Sequence, residues 1–482
     1  MKRRVLLTIA VTFLLVGGSS AQVDEMRQTL QSYYDAGLFN GSVLVAKGDQ
    51  VLIAEGYGMA DRRWSIPNDA NTRFRIGSVT KQFTSTIILQ LVEEGELSLD
   101  QTLSSILPDY PAAQGDAVTL HQLLNHTSGI PSYTSIRGFF QNEAYHPLAI
   151  DSLARLTAWQ DLEFEPGSDW SYNNTGYVIL GLIVERKTEM TFEEALHARI
   201  LEPLGMENTG YDNYATVTEN MASGYERSVD GDRNAAYLDT SIPHAAGMMF
   251  STVGDLRIWA RALAAAAPFR DVETLAAMWT PGLQDYAYGI AVSEMELGGE
   301  SRRVVQHSGG INGFSAFLRL FPDDDLVFAT LDNISGGSGS VTQALTRAYF
   351  TGEAQIAAEP VSRAMFSAIE EHGVEDALSW YREAKEAGAS YQFGERELNT
   401  VAYIYLGQGD VETAIAIFEL NVREYPEASN PYDSLGEAYE AAGVTARAIE
   451  SYRKSLDLDE GNQHARDRLA ALGSPATDGR QP

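Results

Sequence analysis

Ser78 and Lys81 lie three residues apart in the segment Arg73–Glu94, RFRIGSVTKQFTSTIILQLVEE. The spacing of apolar residues from Val79 to Glu94 predicts a helix closed by Gly95. Ser78 then stands at the helix N-terminus. Side chains at i and i+3 share one helix face, about 5–6 Å apart at Cβ. A serine hydroxyl becomes a useful nucleophile only when a neighbouring base takes its proton. A solvated lysine is protonated and cannot serve. A buried lysine near the positive end of a helix has a lowered pKa and can. Taken alone the pair is a short pattern, since serine at a helix start is usually a plain N-cap. Composition narrows the choice. The 482 residues include no cysteine, which excludes disulfides, Cys-ligated zinc, iron–sulfur clusters and thiol nucleophiles. Covalent chemistry then falls to Ser, Thr, Lys, Asp, Glu, His or Tyr.

Two further motifs give the pair a context. Tyr172–Asn173–Asn174 precedes an apolar helix in DWSYNNTGYVILG, and His307–Ser308–Gly309 ends a strand in VVQHSGGINGF. With S-x-x-K, Y-x-N and K/H-T/S-G in this order, the chain resembles the serine β-lactamase and penicillin-binding superfamily in its class C-like branch. That branch includes DD-carboxypeptidases, D-amino-acid peptidases and carboxylesterases. LLNHTSGIP (Leu123–Pro131), PLGMENTG (Pro203–Gly210) and AAGMMFSTVGDL (Ala245–Leu256) extend the resemblance over about residues 25–350.

The resemblance implies roles. Ser78 would form the acyl-enzyme, and Lys81 would act as general base or hold the network that does. Tyr172 would serve as phenolate base or as proton shuttle to the leaving group. Asn174, His307, Ser308 and Gly309 would bind substrate, with Asn174 positioning either the substrate amide or Lys81. The backbone N–H groups of Ser78 and Gly310 would form the oxyanion hole. β-Lactamases of this branch usually carry Lys where His307 stands. Histidine, with an ordinary pKa near 6.5, offers only a partial positive charge at pH 7. Affinity for anionic substrates is therefore expected to fall between about pH 6 and 8. A peptidase or esterase is favoured over a dedicated β-lactamase.

Other signals are weaker. His121 and His126 flank a helix end and the Thr127–Ser128–Gly129 turn, and read as structural. His146, His197, His244, His372 and His464 are scattered without paired ligand spacing, so no metal is implied. No G-x-S-x-G elbow occurs. No nucleotide loop occurs either, and no cofactor is expected.

The elements around these motifs must position them. Val23–Ala36 has helical spacing. Ser42–Ala46 and Val51–Ala54 read as a hairpin across Lys47–Gln50. Strand patterns return at Tyr286–Val292, Arg303–Gln306, Phe314–Phe321 and Leu326–Leu331. Strands from both ends around a helical middle predict an α+β fold. Its centre would be one mainly antiparallel sheet, closed by the first and last segments, flanked by helices and carrying a helical subdomain. This is the β-lactamase/DD-peptidase-like arrangement that the resemblance implies.

Near the C-terminus the chain repeats itself. Tyr405, Gly409, Ala414 and Phe418 recur as Tyr439, Gly443, Ala448 and Tyr452, each 34 residues later. Small and aromatic residues at fixed offsets around a Gly joint resemble tetratricopeptide (TPR) repeats, over Leu398–His464. Residues 361–396 read as a more divergent helical pair and Gln463–Leu472 as a capping helix. The expected organisation is a signal peptide at 1–21 and a hydrolase domain at 24–350. A linker at 351–360, an all-α TPR array at 361–472 and a disordered tail at 473–482 follow.

The opening MKRRVLLTIAVTFLLVGGSSAQ has three cations, an apolar run and small residues before Gln22. That is a secretory pattern, too short to span a membrane. A periplasmic or secreted location is expected, with no membrane span after cleavage. Net charge is −31, and the acidity is spread over both parts, so nucleic acid is not an expected partner. The expected partners are a small-molecule or peptide substrate and a protein held by the repeats. The leading reading is an exported serine hydrolase acting on D-amino-acid peptides. The alternatives are a β-lactamase or carboxylesterase of the same fold, and a non-catalytic sensor or interaction protein using the repeats.

Overall fold

The structure is a computed structural model and describes residues 20–473. The secretory segment falls mainly on residues 1–19 and the expected tail on 474–482, both outside the described residues. The chain divides into two compact units. One holds residues 20–35, 39–226 and 234–356 of the described chain, and the other holds 36–38, 227–233 and 357–473.

The first unit is built on an antiparallel sheet. Its strands are β1 (Gly41–Lys47), β2 (Gln50–Gly56), β3 (Ala291–Leu297), β4 (Glu300–Ile311), β5 (Phe314–Phe321) and β6 (Leu326–Asp332). Their order across the sheet is β3-β4-β5-β6-β1-β2. The last strand, β6, pairs directly with the first, β1, from Gly41 opposite Asp332 to Lys47 opposite Leu326. The two ends of the unit thus close one sheet. The β1–β2 turn passes through Gly48 at φ +57°, a left-handed conformation that favours glycine.

Period-two alternation explains how the sheet is covered. Val43 and Val45 of β1 pack with Phe328 of β6 against Met26 and Leu30 of α1 (Ser20–Asp35). Val341 and Leu345 of the helix at Ser338–Thr351 join that layer. Leu44, Ala46, Val327 and Ala329 point the other way, into the larger core. That core is filled by α2 (Thr80–Glu93), α3 (Asn174–Thr188) and α4 (Val253–Ala264); the Ser338–Thr351 helix is α5. Since β6 is buried along its whole length, it reads as an apolar run rather than an alternating one.

Helix α2 is buried from Thr80 to Leu89, and its polar side chains find partners inside. Thr84 donates to Ala245 O at 2.7 Å, and Gln82 Oε1 accepts from Trp259 Nε1 at 2.9 Å. Phe83 stacks on Trp259 with centroids 4.1 Å apart. This helix is therefore a rigid central post, and the chemistry expected of it sits at its first turn.

The structure differs from the sequence expectations in four local ways. A 3-10 turn, Gly77–Val79, precedes α2 and carries Ser78. Tyr286–Ile290 is not strand, and β3 begins at Ala291. The third motif lies inside the twelve-residue β4 rather than at a strand end. In the expected linker, α5 continues to Thr351 and Glu359–Pro360 pairs in parallel with Tyr391–Gln392.

The second unit is helical. Its helices are α6 (Val361–His372), α7 (Val374–Glu386), α8 (Glu395–Gln408), α9 (Val411–Glu424), α10 (Ser429–Ala441), α11 (Thr445–Leu458) and α12 (Gln463–Ala471). Ala414, Phe418, Ala448 and Tyr452 are all fully buried in one core. Gly409 and Gly443 end α8 and begin the turn after α10 at φ +87° and +73°. A Cβ at Gly436 would lie 2.6 Å from the Tyr452 ring. Gly436→Ala is therefore expected to destabilise this unit by about 1–3 kcal/mol through overpacking, measured as a lowered midpoint in urea. An unchanged midpoint would contradict that packing.

Candidate active site

Four elements converge on Ser78. The 3-10 turn holds the serine, the first turn of α2 holds Lys81, the start of α3 holds Asn174, and β4 passes alongside with His307–Gly310. Gly77 sits at φ +50°. A Cβ on Gly77 would lie 2.7 Å from Gly310 N, and one on Gly309 would lie 1.9 Å from Ile76 O and 3.1 Å from Ser78 N. Two glycines thus let the turn and the strand touch, with the Gly310 amide nitrogen against Gly77 and the Ser78 amide nitrogen against Gly309. Paired N–H groups of this kind suit an oxyanion.

Lys81 is fully buried. Its Nζ lies 2.8 Å from Asn174 Oδ1, 2.8 Å from Ala246 O and 3.2 Å from Ser78 Oγ. Burial lowers its pKa well below the ordinary lysine value. A neutral amine has two N–H donors and one lone pair. The amide oxygen of Asn174 and the carbonyl of Ala246 take the donors, and the lone pair is left for the Ser78 hydroxyl. That is the geometry of a general base. Of the two roles open to Asn174, the structure places its oxygen on Lys81.

Tyr172 lies beside this pair, with the Lys81 Nζ 4.8 Å from its ring centre. Burial raises its phenol pKa well above the ordinary value, with Ser78 hydrogen bonding as the smaller, opposing influence. The raised pKa keeps the phenol protonated, so its hydroxyl is a hydrogen-bond donor. His126 brackets this residue. Its carbonyl accepts from Ser171 N at 3.1 Å, and its ring Nδ1 accepts from Asn173 N at 3.2 Å. Asn173 in turn caps α3 by accepting from Gly176 N at 2.8 Å.

His307 is buried, and both ring nitrogens are engaged within the protein. Nε2 lies 2.9 Å from the Tyr286 hydroxyl and Nδ1 2.5 Å from Ser308 O. Burial, the largest cause, pushes its pKa down to about 4. The ring is neutral at pH 7, which corrects the expectation of a partial charge there. Anionic-substrate affinity should accordingly show no His307 titration between pH 6 and 8. The His307→Asn variant should keep the wild-type shape of its KM–pH curve over that range. A wild-type step near pH 6.5 that this variant removes would contradict the neutral assignment.

These groups open on a cavity of about 350 Å³ lined by Ser78, Tyr172, Tyr286, Gln306, His307, Ser308, Gly310 and Phe317. A larger groove of about 670 Å³ in the helical unit, beside Tyr432 and Tyr439, is lined by Ser451 and Lys454 at the same spacing, but Lys454 is exposed where Lys81 is buried. Sequence reasoning missed Tyr286, the Ala246 carbonyl and Gln306, which lie outside the three short motifs. It also missed a grouping of Asp433, Glu437 and His464, whose ligand-type atoms lie within 4.8 Å of one another. There His464 Nδ1 lies 2.9 Å from Asp433 Oδ2, an ordinary exposed pairing.

Residues 26–352 match the family described as Beta-lactamase, and the chain belongs to that family. It is a serine hydrolase of the β-lactamase fold. A penicillin-binding protein of Bacillus subtilis (strain 168) is 30% identical over 326 residues, covering 61% of this chain and 68% of its own length. Across the curated relatives it matches, the chain spans 64% to 68% of their length. Among solved structures, a penicillin binding protein from Bacillus halodurans is 29% identical with a TM-score of 0.59, covering 66% of this chain and 98% of that one. A D-stereospecific amidohydrolase from Streptomyces sp. is 26% identical with a TM-score of 0.57, covering 67% and 98%. No described helix is long and apolar enough to cross a membrane.

Proposed function

We propose that the protein is an exported hydrolase that cleaves amide bonds in D-amino-acid peptides, in the manner of a DD-carboxypeptidase or D-amino-acid peptidase. The observation that carries this reading is the buried Lys81, with two acceptors for its N–H groups and its lone pair beside Ser78. Ser78 Oγ attacks the scissile carbonyl as Lys81 takes its proton. The N–H groups of Ser78 and Gly310 receive the oxyanion. Tyr172 gives its proton to the leaving amine and takes the Ser78 proton from Lys81 in return, and the C–N bond breaks to leave an ester on Ser78. Water then releases the acid by the reverse proton route. The likeness to a D-stereospecific amidohydrolase supports the substrate class.

A neutral His307 also suits an uncharged acyl group, and carboxylesterase activity is the second reading. In this account residues 1–21 act as a cleaved export signal. The helical unit acts as a TPR-type array that holds a protein partner. A panel of acyl-D-Ala-D-Ala, acyl-L-Ala-L-Ala, a short acyl ester and a chromogenic cephalosporin tests the substrate class. Release of D-alanine from the first alone among the peptides is expected. Turnover of the ester or the cephalosporin without the D-peptide would contradict it.

A further inference from the structure

His126 is a buried histidine that the acyl-transfer steps leave unused. It follows the short helix Leu120–Leu124 at φ +65°, a left-handed conformation that glycine or asparagine adopts more readily. It is 1% exposed. The segment around it is fixed on both sides. Leu124 O accepts from the Tyr177 hydroxyl at 2.7 Å, and Thr127 O accepts from Gly167 N at 2.8 Å. A strained backbone and a buried titratable ring at one residue call for a reason.

The reason lies in what the residue holds. Its carbonyl takes the N–H of Ser171, and its ring Nδ1 takes the N–H of Asn173. These are the two residues on either side of Tyr172. Its ring also lies against the Tyr172 ring, with centroids 4.4 Å apart. One residue thus grips the backbone on both sides of Tyr172 and packs on the phenol. The tie to Asn173 needs a neutral ring. Nδ1 accepts only while its lone pair is free, so the proton sits on Nε2. That nitrogen is buried without a hydrogen-bond partner among the described residues. The tautomer leaves one donor unsatisfied and keeps the acceptor that Asn173 needs. Burial lowers the His126 pKa well below the ordinary histidine value, which holds the ring in this form.

We propose that His126 is a positioning residue for Tyr172 and sets its hydroxyl where it hands a proton to the leaving group. This rests on the Tyr172 proton-transfer reading above and adds the residue that aims it. The catalytic cavity is lined by Tyr172 and not by His126, so His126 acts through Tyr172. Proton transfer is steep in geometry, and a misplacement of about 1 Å can cost 10²-fold.

The test compares two substrates with one acyl group, acyl-D-Ala-D-Ala and the p-nitrophenyl ester of the same acyl-D-alanine. The leaving amine of the first must be protonated as the C–N bond breaks, whereas nitrophenolate leaves without a proton. The readout is the ratio of kcat/KM for the amide to that for the ester. His126→Gly suits the left-handed backbone and removes only the side chain. It is expected to lower the ratio by about 10–10². His126→Asn suits the backbone and keeps an acceptor near Nδ1, so it should recover most of the loss. Tyr172→Phe should lower the ratio too, and adding His126→Gly to it should lower it no further. Thermal melts establish which variants are folded. If His126→Gly is not, His126→Phe, which keeps a ring and lacks the acceptor, carries the test with the same expected loss. Three results overturn the positioning role and leave the hydrolase standing: folded variants with the wild-type ratio, a His126→Asn no better than His126→Gly, or losses that add fully to that of Tyr172→Phe. A wild-type ratio in Tyr172→Phe overturns the Tyr172 reading and this inference with it. A wild type that cleaves only the ester, or neither substrate, overturns the D-peptide reading, and the inference falls with that as well.

Discussion

Replacing Lys81 with methionine is expected to lower kcat/KM for acyl transfer by about 10²–10⁴, the range of a positioned general base. Methionine nearly matches lysine in length and leaves the first turn of α2 filled. What it removes is the lone pair 3.2 Å from Ser78 Oγ. An ammonium at this point would donate to all three neighbours and could take no proton. The neutral amine is the form that burial favours. The sign of the pH dependence follows. Activity needs the unprotonated amine, so it falls as pH drops through the lowered Lys81 pKa and is present above it. Burial raises the Tyr172 pKa, so the phenol stays protonated into the alkaline range. The acidic limb of kcat/KM should therefore belong to Lys81 and vanish from the residual activity of Lys81→Met. A variant within tenfold of wild type, with the limb intact, would remove Lys81 from the base role.

Gly309→Ala is expected to cost about 10²–10³ in turnover, the scale of losing one oxyanion donor. Its Cβ would sit 1.9 Å from Ile76 O and 3.1 Å from Ser78 N. No rotamer relieves that clash, because both atoms are backbone. The strand and the nucleophile turn must separate, which pulls the Gly310 and Ser78 amides apart. KM should move less than kcat, because the oxyanion forms only on the way to the acyl-enzyme. Steady-state kinetics on a neutral ester would check this. Wild-type kcat in Gly309→Ala would show that the close seam does not build the oxyanion site.

The sequence carries the parts of this site that are local. Ser78 and Lys81 are three residues apart, and Tyr172 and Asn174 sit at the mouth of one helix, so spacing alone groups each pair. The sheet was also legible, because β1, β5 and β6 keep strand patterns between clear turns. Depth was not legible. His307 has an ordinary pKa on paper, and only the surrounding fold buries its ring and pushes it to about 4. Arg319 alternates with Leu318 and Leu320, which in an isolated strand places it toward solvent. The residues Gln343 and Thr346 of α5 cover that face, so the same alternation buries it. Tyr, Ala and Ile suit a strand, so the residue pattern alone predicts one at Tyr286. Gly289 at φ +72° breaks the run and leaves Tyr286 to close on His307. In the helical unit, Ala414, Phe418, Ala448 and Tyr452, the residues that recur 34 positions apart, are buried in one core.

The central claim is that Ser78 is the nucleophile of an acyl-enzyme. Intact-mass and peptide mass spectrometry after exposure to a penicillin or a fluorophosphonate tests it most directly. The expected result is one adduct per chain on the peptide containing Ser78, and none in Ser78→Ala. An unlabelled wild type, or equal labelling of Ser78→Ala, would contradict it.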